Sequence, residues 1–572
     1  MNNKKYFNLT PFKMQVIQSF PFIDEDFDAL TNYELLCKVV DYLNKTVSNV
    51  DLLHEQVEIL QHYFDNLDLQ EEVDKKLDKM VEDGTFNTII NQEIFGQLNE
   101  DVTALNTWKT TMTNTTIPTI NNNITANTNE IKNIENKLTP LKLENKKYSA
   151  VQLPTPFNDS FFGKVKLFWN GYDFKCELGN MIDSSDGTLY ISPDGIDTNE
   201  GTSASPKKTI NGCCQYFIAN SITNGKIILK DGIYFYSDFS PNISISCIIK
   251  AEHKDKVYLT TSTSSLSFSS LEGYPKTYKA TRSNIRYVVD FSTGVPIKLP
   301  LKSSISEVDA NAGSYYISGN DVYVHLITED VPTKNNCITV LRADWNCIYL
   351  TPSAERDIKA CIQDINFIGG QHPVNIVSAT GDYERIAYFE NCKSYYSASS
   401  GAFYCDGAKM ITKDCQALFS LGDGFDYVNA AKGIEINNIG SYNGSLDSDT
   451  YNGTTAHGGS NIFRFGGIYN NNHGPNVADV QANTVTFNVN CTSFDSQSSV
   501  SGQPYSDFSN SQGDCTMYVL NCYSKNSSSR WNLYNSESTE NNVMYVFNNQ
   551  YDTSTGQLTN YTLSLVGYYI VN

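Results

Sequence analysis

Two kinds of hydrophobic periodicity divide the chain. Through residues 25–112 apolar residues recur at helical spacing, which predicts helices and a helical domain over residues 1–112. One heptad position holds Val50, Val57 and Phe64, and the position three residues later holds Leu53, Leu60 and Leu67.

A stricter seven-residue repeat follows over residues 113–147. Its a positions are Ile117, Ile124, Ile131 and Leu138, and its d positions are Ile120, Asn127, Ile134 and Leu141. Isoleucine at both positions favours three parallel strands over two, which predicts a trimeric coiled coil and hence a homotrimer. The alternative is one amphipathic helix that folds back on its own chain. The intervening residues are mostly Asn and Thr, poor formers of an isolated helix, and this favours the trimer.

After Pro140 the helical pattern ends, and residues 148–185 read as a β-like linker or neck. Over residues 186–572 short alternating phrases recur about every 26 residues, a period typical of one coil of a parallel β-helix. Leucine-rich repeats are disfavoured because their consensus is absent. The anchors of the repeat are Ile365, Cys392, Cys415, Ile439, Gly466, Cys491, Cys522 and Asn549.

The repeat is interrupted over residues 250–345 by alternating aromatic and polar runs. The turn Ser318-Gly-Asn-Asp between two such runs predicts a hairpin. This region is interpreted as a β-rich insertion that protrudes from the coils.

Charge and cysteine usage narrow the function classes. The chain has 42 basic and 63 acidic residues, a net charge of −21, so nucleic acid and anionic membranes are not expected partners. No stretch long enough to span a membrane and no signal peptide is present, which predicts synthesis in a cytoplasm. The 14 cysteines lack C-x-x-C spacing and are interpreted as buried free thiols.

The segment from Asp186, with Asp194-Gly-Ile-Asp and Ser205-Pro-Lys-Lys-Thr-Ile, resembles the opening of pectin-lyase-like right-handed β-helices. The resemblance implies a capping helix that includes Cys213 to Ala219 and a strand at Lys226 to Leu229. The fold class is therefore mainly β with a helical N-terminal part: a right-handed, single-stranded parallel β-helix preceded by helices and a trimeric coiled coil. That fold occurs in lyases, hydrolases, epimerases and adhesins, so it does not select a reaction.

The first 110 residues resemble the N-termini of receptor-binding tail appendages of small, short-tailed phages of Gram-positive bacteria. The matching stretches are Phe20-Pro-Phe-Ile-Asp-Glu-Asp-Phe and Leu69-Gln-Glu-Glu-Val-Asp-Lys-Lys-Leu. The resemblance implies a location in the virion tail, with the N-terminal part bound to tail or collar proteins. The distal part would then meet a host surface glycopolymer, either a teichoic acid or a polysaccharide.

The densest polar region extends from Gly422 to Asp479. Counted from the anchors, Asp423, Asp447 and His473 are predicted to share one outer column, and Asp406 and His457 another. Acidic pairs can cleave glycosidic bonds, and a His beside an Asp can act on a phosphodiester or an ester. The alternative is that these are turn residues, since Asp-Gly and His-Gly steps also suit tight turns.

Thr454-Thr-Ala-His-Gly-Gly and Asn472-His-Gly-Pro-Asn-Val-Ala-Asp resemble a stretch that recurs in phage β-helix proteins assigned to surface-polymer degradation. The resemblance implies His457, His473 and Asp479 as catalytic residues, supported by Asp423 and Asp426. The predicted substrate-binding residues are Asp406, Asp447, Arg464 and Asn476.

No cofactor is firmly implied. The Asp and Asn oxygens at 447–452 suit a divalent cation such as calcium, although no EF-hand pattern occurs. The leading hypothesis is a depolymerase that acts as a glycosidase, a lyase or a teichoic acid phosphodiesterase. The alternatives are a non-catalytic adhesin for the same polymer and a secreted lyase, which would leave the coiled coil unexplained.

Overall fold

The computed structural model describes residues 147–181, 185–262, 266–341, 346–398, 401–444, 451–497, 506–536 and 541–570, with scattered positions before residue 115. The chain divides into two units, residues 1–146 and 147–572. Described residues 75, 102–104, 106–107 and 110–111 are helical. The attachment domain predicted over 1–112 and the trimeric coiled coil over 113–147 otherwise lie outside the described residues.

The second unit is a parallel β-solenoid built from three sheets, in which strands that follow one coil apart along the chain are hydrogen-bonded neighbours. This confirms the β-helix predicted from residue 186 onward. Sheet 1 contains Gly187–Ile191, Gly225–Leu229, Cys247–Ala251, Ile358–Gln363, Arg385–Glu390, Lys409–Lys413, Lys432–Ile436, Asn461–Phe465, Val485–Val489, Thr516–Leu520, Val543–Phe547 and Leu558–Asn560.

The other two sheets complete each coil. Sheet 2 contains Gly232–Phe235, Val257–Thr260, Asn366–Ile368, Lys393–Tyr395, Gln416–Leu418, Ile439–Ser441, Ile468–Asn470, Thr492–Phe494, Tyr523–Ser524 and Gln550–Tyr551. Sheet 3 contains Asn242–Ile243, Ile348–Leu350, Val374–Val377, Phe403–Asp406, Phe425–Val428, Thr454–Ala456, Val477–Val480, Ser506–Ser511, Trp531–Asn535 and Ser554–Thr555.

Successive side chains along each strand point alternately into the solenoid interior and toward its outer face. In sheet 1, Ala360 and Met410 belong to the interior core, whereas Cys361 and Ile411 belong to a second cluster on the outer face. Inward residues of successive coils stack in register, and this continuous apolar column is what holds the solenoid together.

The recurring Asn-Cys pairs form the turn from sheet 1 to sheet 2. The first residue of each pair adopts a left-handed conformation, as at Asn391, Asn490 and Asn521, and the following Cys points inward. Asn and Asp tolerate positive φ better than most side chains, which explains their use here. Their side chains also link neighbouring coils: Asn391 Nδ2 donates to Asp364 Oδ1 at 3.1 Å.

Two of the predicted anchors are displaced by one residue. Sheet 2 pairs Gln416 with Ile439, so the counterpart of Cys415 is Asn438. The anchor Ile439 is therefore one residue late. Gly466 has a φ of 68° and occupies the left-handed position itself, so this anchor is one residue early. The repeat hid both shifts because neither coil has a Cys there.

The cysteines are free thiols, as predicted, among the described residues. All but the half-buried Cys176 are buried.

The region predicted as a linker, 148–185, is instead part of the folded unit. Its strands form an antiparallel sheet with a C-terminal strand, in the order Phe174–Leu178, Val165–Trp169, Lys147–Val151 and Leu565–Ile570. Aromatic residues of this region, including Phe157 and Phe162, are buried against the outer face of sheet 1. The burial of these large side chains explains why the segment does not behave as a linker.

The insertion is shorter than predicted, because Cys247–Ala251 and Val257–Thr260 are still solenoid strands. It forms two antiparallel sheets between sheets 2 and 3 of one coil. The predicted hairpin at Ser318 is confirmed by the pairing of Ser314–Ser318 with Asp321–His325. The insertion strands are Ser269–Leu271, Tyr274–Thr281, Asp321–His325 and Ser314–Ser318 in one sheet, and Ile297–Lys298, Ile285–Asp290 and Cys337–Leu341 in the other.

The predicted capping helix is confirmed at Ile210–Ala219, where the side chain of Thr209 accepts a hydrogen bond from the Gly212 amide at the N-terminus. The remaining helices of the described unit are Tyr236–Phe239, Ile305–Ala310 and the 3-10 turn Phe162–Lys164. Within the described ranges, no helix is long and apolar enough to cross a membrane.

Candidate active site

Three of the predicted catalytic residues meet on the outside of sheet 3. Asp426 lies within the strand Phe425–Val428, and Asp423 lies in the turn just before it. His457 follows the next strand of the sheet, Thr454–Ala456. His457 Nε2 is 3.5 Å from Asp426 Oδ1 and 4.0 Å from Asp423 Oδ2. One ligand atom from each of the three lies within 4.8 Å of the others.

Strand alternation explains why Asp426 faces outward. Its neighbours Phe425 and Tyr427 point into the solenoid and have no exposed surface. The preceding coil leaves room for the carboxyl group because it has Gly401 there: a Cβ at Gly401 would be 2.5 Å from Asp426 Cβ. Any larger residue at this position would displace the carboxyl group.

Asp426 is held as a neutral acid. Burial and the negative charge of Asp423 raise the pKa of Asp426 to about 8, with His457 opposing the shift. The residue is 6 % exposed, and its Oδ1 has no hydrogen-bond partner. A buried carboxyl oxygen without a hydrogen bond is costly, which is typical of groups retained for chemistry rather than stability.

Asp423 is fixed by the following coil. Its Oδ1 accepts a hydrogen bond from the Asn452 amide at 2.6 Å, and Asn452 Nδ2 in turn donates to Thr455 Oγ1 at 2.8 Å. Asp423 is also largely buried. Its carboxylate therefore has a defined orientation beside Asp426.

His457 is the most accessible member of the cluster, with 27 % of its side chain exposed. Burial lowers its pKa, but its contact with Asp423 and the negative charges of Asp423 and Asp479 outweigh burial and raise the pKa above the usual value. An imidazolium ion beside two carboxyl groups can orient one of them and stabilise its charge.

Asp406 borders the cluster. Asp406 pairs with Val428 of the next coil in sheet 3. Tyr427 pairs with Ala456, so His457 is the counterpart of Val428 in the coil after that and lies in the same column as Asp406. The column predicted for Asp406 and His457 is therefore confirmed. Asp406 accepts hydrogen bonds from Asn429 Nδ2 at 2.8 Å and from the Tyr404 hydroxyl at 3.4 Å.

The other predicted column is wrong. Asp423 is bonded to Asn452, whereas the backbone amide of His473 donates to the Asn443 carbonyl at 2.8 Å, so the two occupy different positions of the turn. His473 is not part of the cluster, and burial lowers its pKa. Asp447 lies outside the described residues.

Two predicted site residues, Arg464 and Asp479, are inside the solenoid and have no exposed surface. Arg464 Nε contacts Glu435 Oε1 at 3.2 Å, and its Nη1 contacts Asp479 Oδ1 at 3.5 Å. A catalytic role for Asp479 and a substrate-binding role for Arg464 are corrected, because strand alternation points both inward. Glu435 was not predicted, although its place between outward-facing Ile434 and Ile436 was a signal for an inward charge.

Asn476, predicted to bind substrate, is also fully buried. Its Oδ1 accepts from Asn472 Nδ2 at 2.9 Å, and Asn472 Oδ1 accepts from Asn443 Nδ2 at 3.0 Å. It belongs to an asparagine ladder that satisfies turn backbone groups, which is a structural role.

The cluster of Asp423, Asp426 and His457 also has the donor set of a divalent cation site. A second such group in the described ranges, Asp231, Glu252 and His253, is exposed. The predicted calcium ligands at 447–452 lie largely outside the described residues.

No family model and no curated protein matches this chain. Among solved structures, a glycoside hydrolase matches with a TM-score of 0.43 and 10 % identity, covering 65 % of this chain and 96 % of that one. The pectate lyase Pel9A matches with a TM-score of 0.28 and 12 % identity over 65 % and 79 % of the two chains. A tailspike protein from the Acinetobacter baumannii bacteriophage Fri1, a capsular polysaccharide depolymerase, matches with a TM-score of 0.24 and 12 % identity over 74 % of each.

Proposed function

We propose that this chain degrades a surface glycopolymer by acid-base cleavage of a glycosidic bond at Asp423, Asp426 and His457. The observation that carries the proposal is the pair of adjacent carboxyl groups on the outer face of sheet 3, one of which is held protonated. Pairs of carboxyl groups in different protonation states supply the acid and the base of glycoside hydrolysis.

Asp426 is the general acid. Its pKa of about 8 keeps the proton on at neutral pH, so it can protonate the oxygen of the leaving sugar. Asp423 is the carboxylate that acts as base or nucleophile at the anomeric carbon. His457 stabilises the charge that remains on the pair after proton transfer.

The sequence of the N-terminal region supports a proposal for where this activity takes place. The heptad pattern of residues 113–147 and the resemblance of the first 110 residues underlie the further proposal of a homotrimeric appendage in a virion tail. In that arrangement the N-terminal part binds tail or collar proteins, and the solenoid meets a host teichoic acid or polysaccharide.

Incubation of the full-length protein with purified capsule, exopolysaccharide and wall teichoic acid tests the activity. We expect shorter chains of one polymer by size-exclusion chromatography, with one new reducing end per cleavage and no ultraviolet absorbance of an unsaturated sugar. Tight binding with no change in chain length would instead establish the non-catalytic adhesin.

The pH dependence follows from Asp426. Activity needs its proton, so we expect kcat/KM to fall about tenfold per pH unit above about 8. Rates measured from pH 5 to 10 on the cleaved polymer provide the check. A rate that stays constant up to pH 10 would remove Asp426 as the acid.

A further inference from the structure

A stack of three aromatic rings lies on the turns that follow sheet 2. Tyr396 and Phe419 have ring centroids 5.6 Å apart, and Phe419 and Tyr442 have centroids 5.2 Å apart with planes 15° from parallel. Backbone hydrogen bonds from each of these residues to the next coil show that they occupy one position of three successive coils. We call these three residues the aromatic ladder.

The backbone of the ladder is in an unusual conformation. All three residues have a φ of 57°, and they are the three aromatic residues with positive φ among the described parts of the chain. The next two coils have Asn471 and Asp495 at this position, also with positive φ. Left-handed backbone disfavours bulky side chains, so aromatic residues in three successive coils need a reason other than turn geometry.

The two ends of the ladder differ. Tyr396 is buried beneath the insertion, where its hydroxyl accepts a hydrogen bond from the Lys298 amide. Phe419 is 43 % exposed and Tyr442 is 48 % exposed. Beyond Tyr442 the smaller Asn471 takes the place of a fourth ring, and its side chain accepts a hydrogen bond from Gln497 Nε2 at 3.0 Å.

The ladder and the acid pair are on the same turns. Asp423 is four positions after Phe419 in the chain, which limits their Cα atoms to about 14 Å apart. Tyr442 directly follows the strand Ile439–Ser441, and Asn452, the residue that fixes Asp423, lies just before the next strand, Thr454–Ala456. One oligosaccharide can therefore reach both.

We infer that the exposed end of the aromatic ladder is a binding subsite for a pyranose ring, which stacks on Tyr442 above Asn471. The inference rests on the proposed function and narrows its substrate to a polymer of cyclic sugars, as opposed to a polyol phosphate chain. A sugar ring offers an apolar C–H face to an aromatic ring and hydroxyl groups to the amides of Asn471 and Gln497.

Charge supports the same substrate class. Across the described ranges, the cationic side chain in contact with Asp423 and Asp426 is His457, and the chain has a net charge of −21. A repeating phosphate would be repelled by this field.

The test replaces Phe419 and Tyr442 by Asn, which suits a left-handed turn and removes only the rings. Binding is measured in the Asp426→Asn background, so that no ligand is consumed. The probes are immobilised oligomers of glucose, galactose, mannose, N-acetylglucosamine and N-acetylgalactosamine, with poly(glycerol phosphate) and poly(ribitol phosphate) as ring-free polymers. Tyr383→Asn, which removes an exposed tyrosine elsewhere, is the control.

We expect at least one pyranose oligomer to bind, with about tenfold weaker binding after the double substitution and no change in the control. Binding of only the polyol phosphates, binding of none of the probes, or binding unaffected by the double substitution would overturn the inference. A change of oligomeric state in the double variant by sedimentation would assign the surface to a second copy and also overturn it.

Cleavage of the same probes by the unmodified protein separates the two proposals. Binding that depends on the aromatic ladder, with no cleavage, would support the sugar-binding subsite and contradict the enzymatic function. Cleavage that is unaffected by the ladder substitutions would support the enzymatic function and contradict the subsite.

Discussion

Asp426→Asn should lower kcat by about a thousandfold or more while the protein stays folded. The substitution keeps the shape of the side chain but removes the proton that the leaving oxygen needs, and loss of general acid catalysis typically costs 10²–10⁴-fold. Initial rates of new reducing ends, with unchanged circular dichroism, provide the measurement. Asp423→Asn should have a comparable effect, because it removes the base or nucleophile.

The thermal stability of Asp426→Asn separates loss of chemistry from loss of fold. Asp426 has a pKa near 8 in the folded protein and an ordinary pKa near 3.9 in the unfolded chain. Between these values the folded state binds more protons, so its stability falls as the pH rises. An Asn removes that penalty, and we expect a Tm at pH 8 equal to or above that of the unmodified protein. A variant with a lower Tm and proportionally lower activity would contradict the catalytic role.

His473→Ala is the matched control for the cluster. His473 lies in the same polar region and was predicted as catalytic on the same grounds, yet it is not in contact with the acid pair. Its replacement should leave cleavage within a few-fold of the unmodified rate. A loss as large as that of Asp426→Asn would mean that the site extends across the turn.

The sequence predicted the solenoid because similar residues recur at the same positions of successive coils. Most coils have a left-handed Asn or Asp at the same turn, and several follow it with an inward Cys, so one period describes many coils. The packing of residues 148–181 was missed for the opposite reason: aromatic residues such as Phe157 and Phe162 are buried against the outer face of sheet 1, and no local pattern reveals a partner that is hundreds of residues away. Fold prediction from repeats works where contacts are between neighbouring coils.

The candidate site was predicted less completely, and the errors have two causes. A one-residue error in register reverses which side chains face inward. Counting from the anchors was displaced at Ile439 and Gly466, so Asp423, Asp447 and His473 were wrongly placed in one column. Arg464 and Asp479 were chosen from the polar region and from the resemblance, without regard to the alternation that points both of them inward. Asp423, Asp426 and His457 were found through the resemblance together with the chemistry of paired acids and His, but their meeting depends on loop lengths that the repeat does not specify.

Arg464→Met should destabilise the fold by roughly 3–5 kcal/mol, because it leaves two carboxylates in the solenoid interior without their counter-ion. Glu435 has partners other than Arg464, since the Tyr469 hydroxyl donates to its Oε2 at 2.8 Å and Thr454 Oγ1 donates to its Oε1 at 2.6 Å. Those neutral contacts do not offset a full buried charge. The midpoint of urea unfolding, measured at one protein concentration, gives the magnitude.

The triple variant Glu435→Gln, Arg464→Met, Asp479→Asn tests whether charge or packing is responsible. It keeps the interior volume close to the original and removes all three charges, so we expect it to recover most of the stability lost by Arg464→Met. A triple variant as unstable as the single one would show that the loss comes from packing around the guanidinium group. Because the charge of Asp479 raises the pKa of His457, the triple variant should also lower that pKa, detectable by NMR titration of the imidazole. The interior ion cluster would then be linked to the outer site through the wall of sheet 3: it stabilises the coils and sets the charge of the group that faces the substrate.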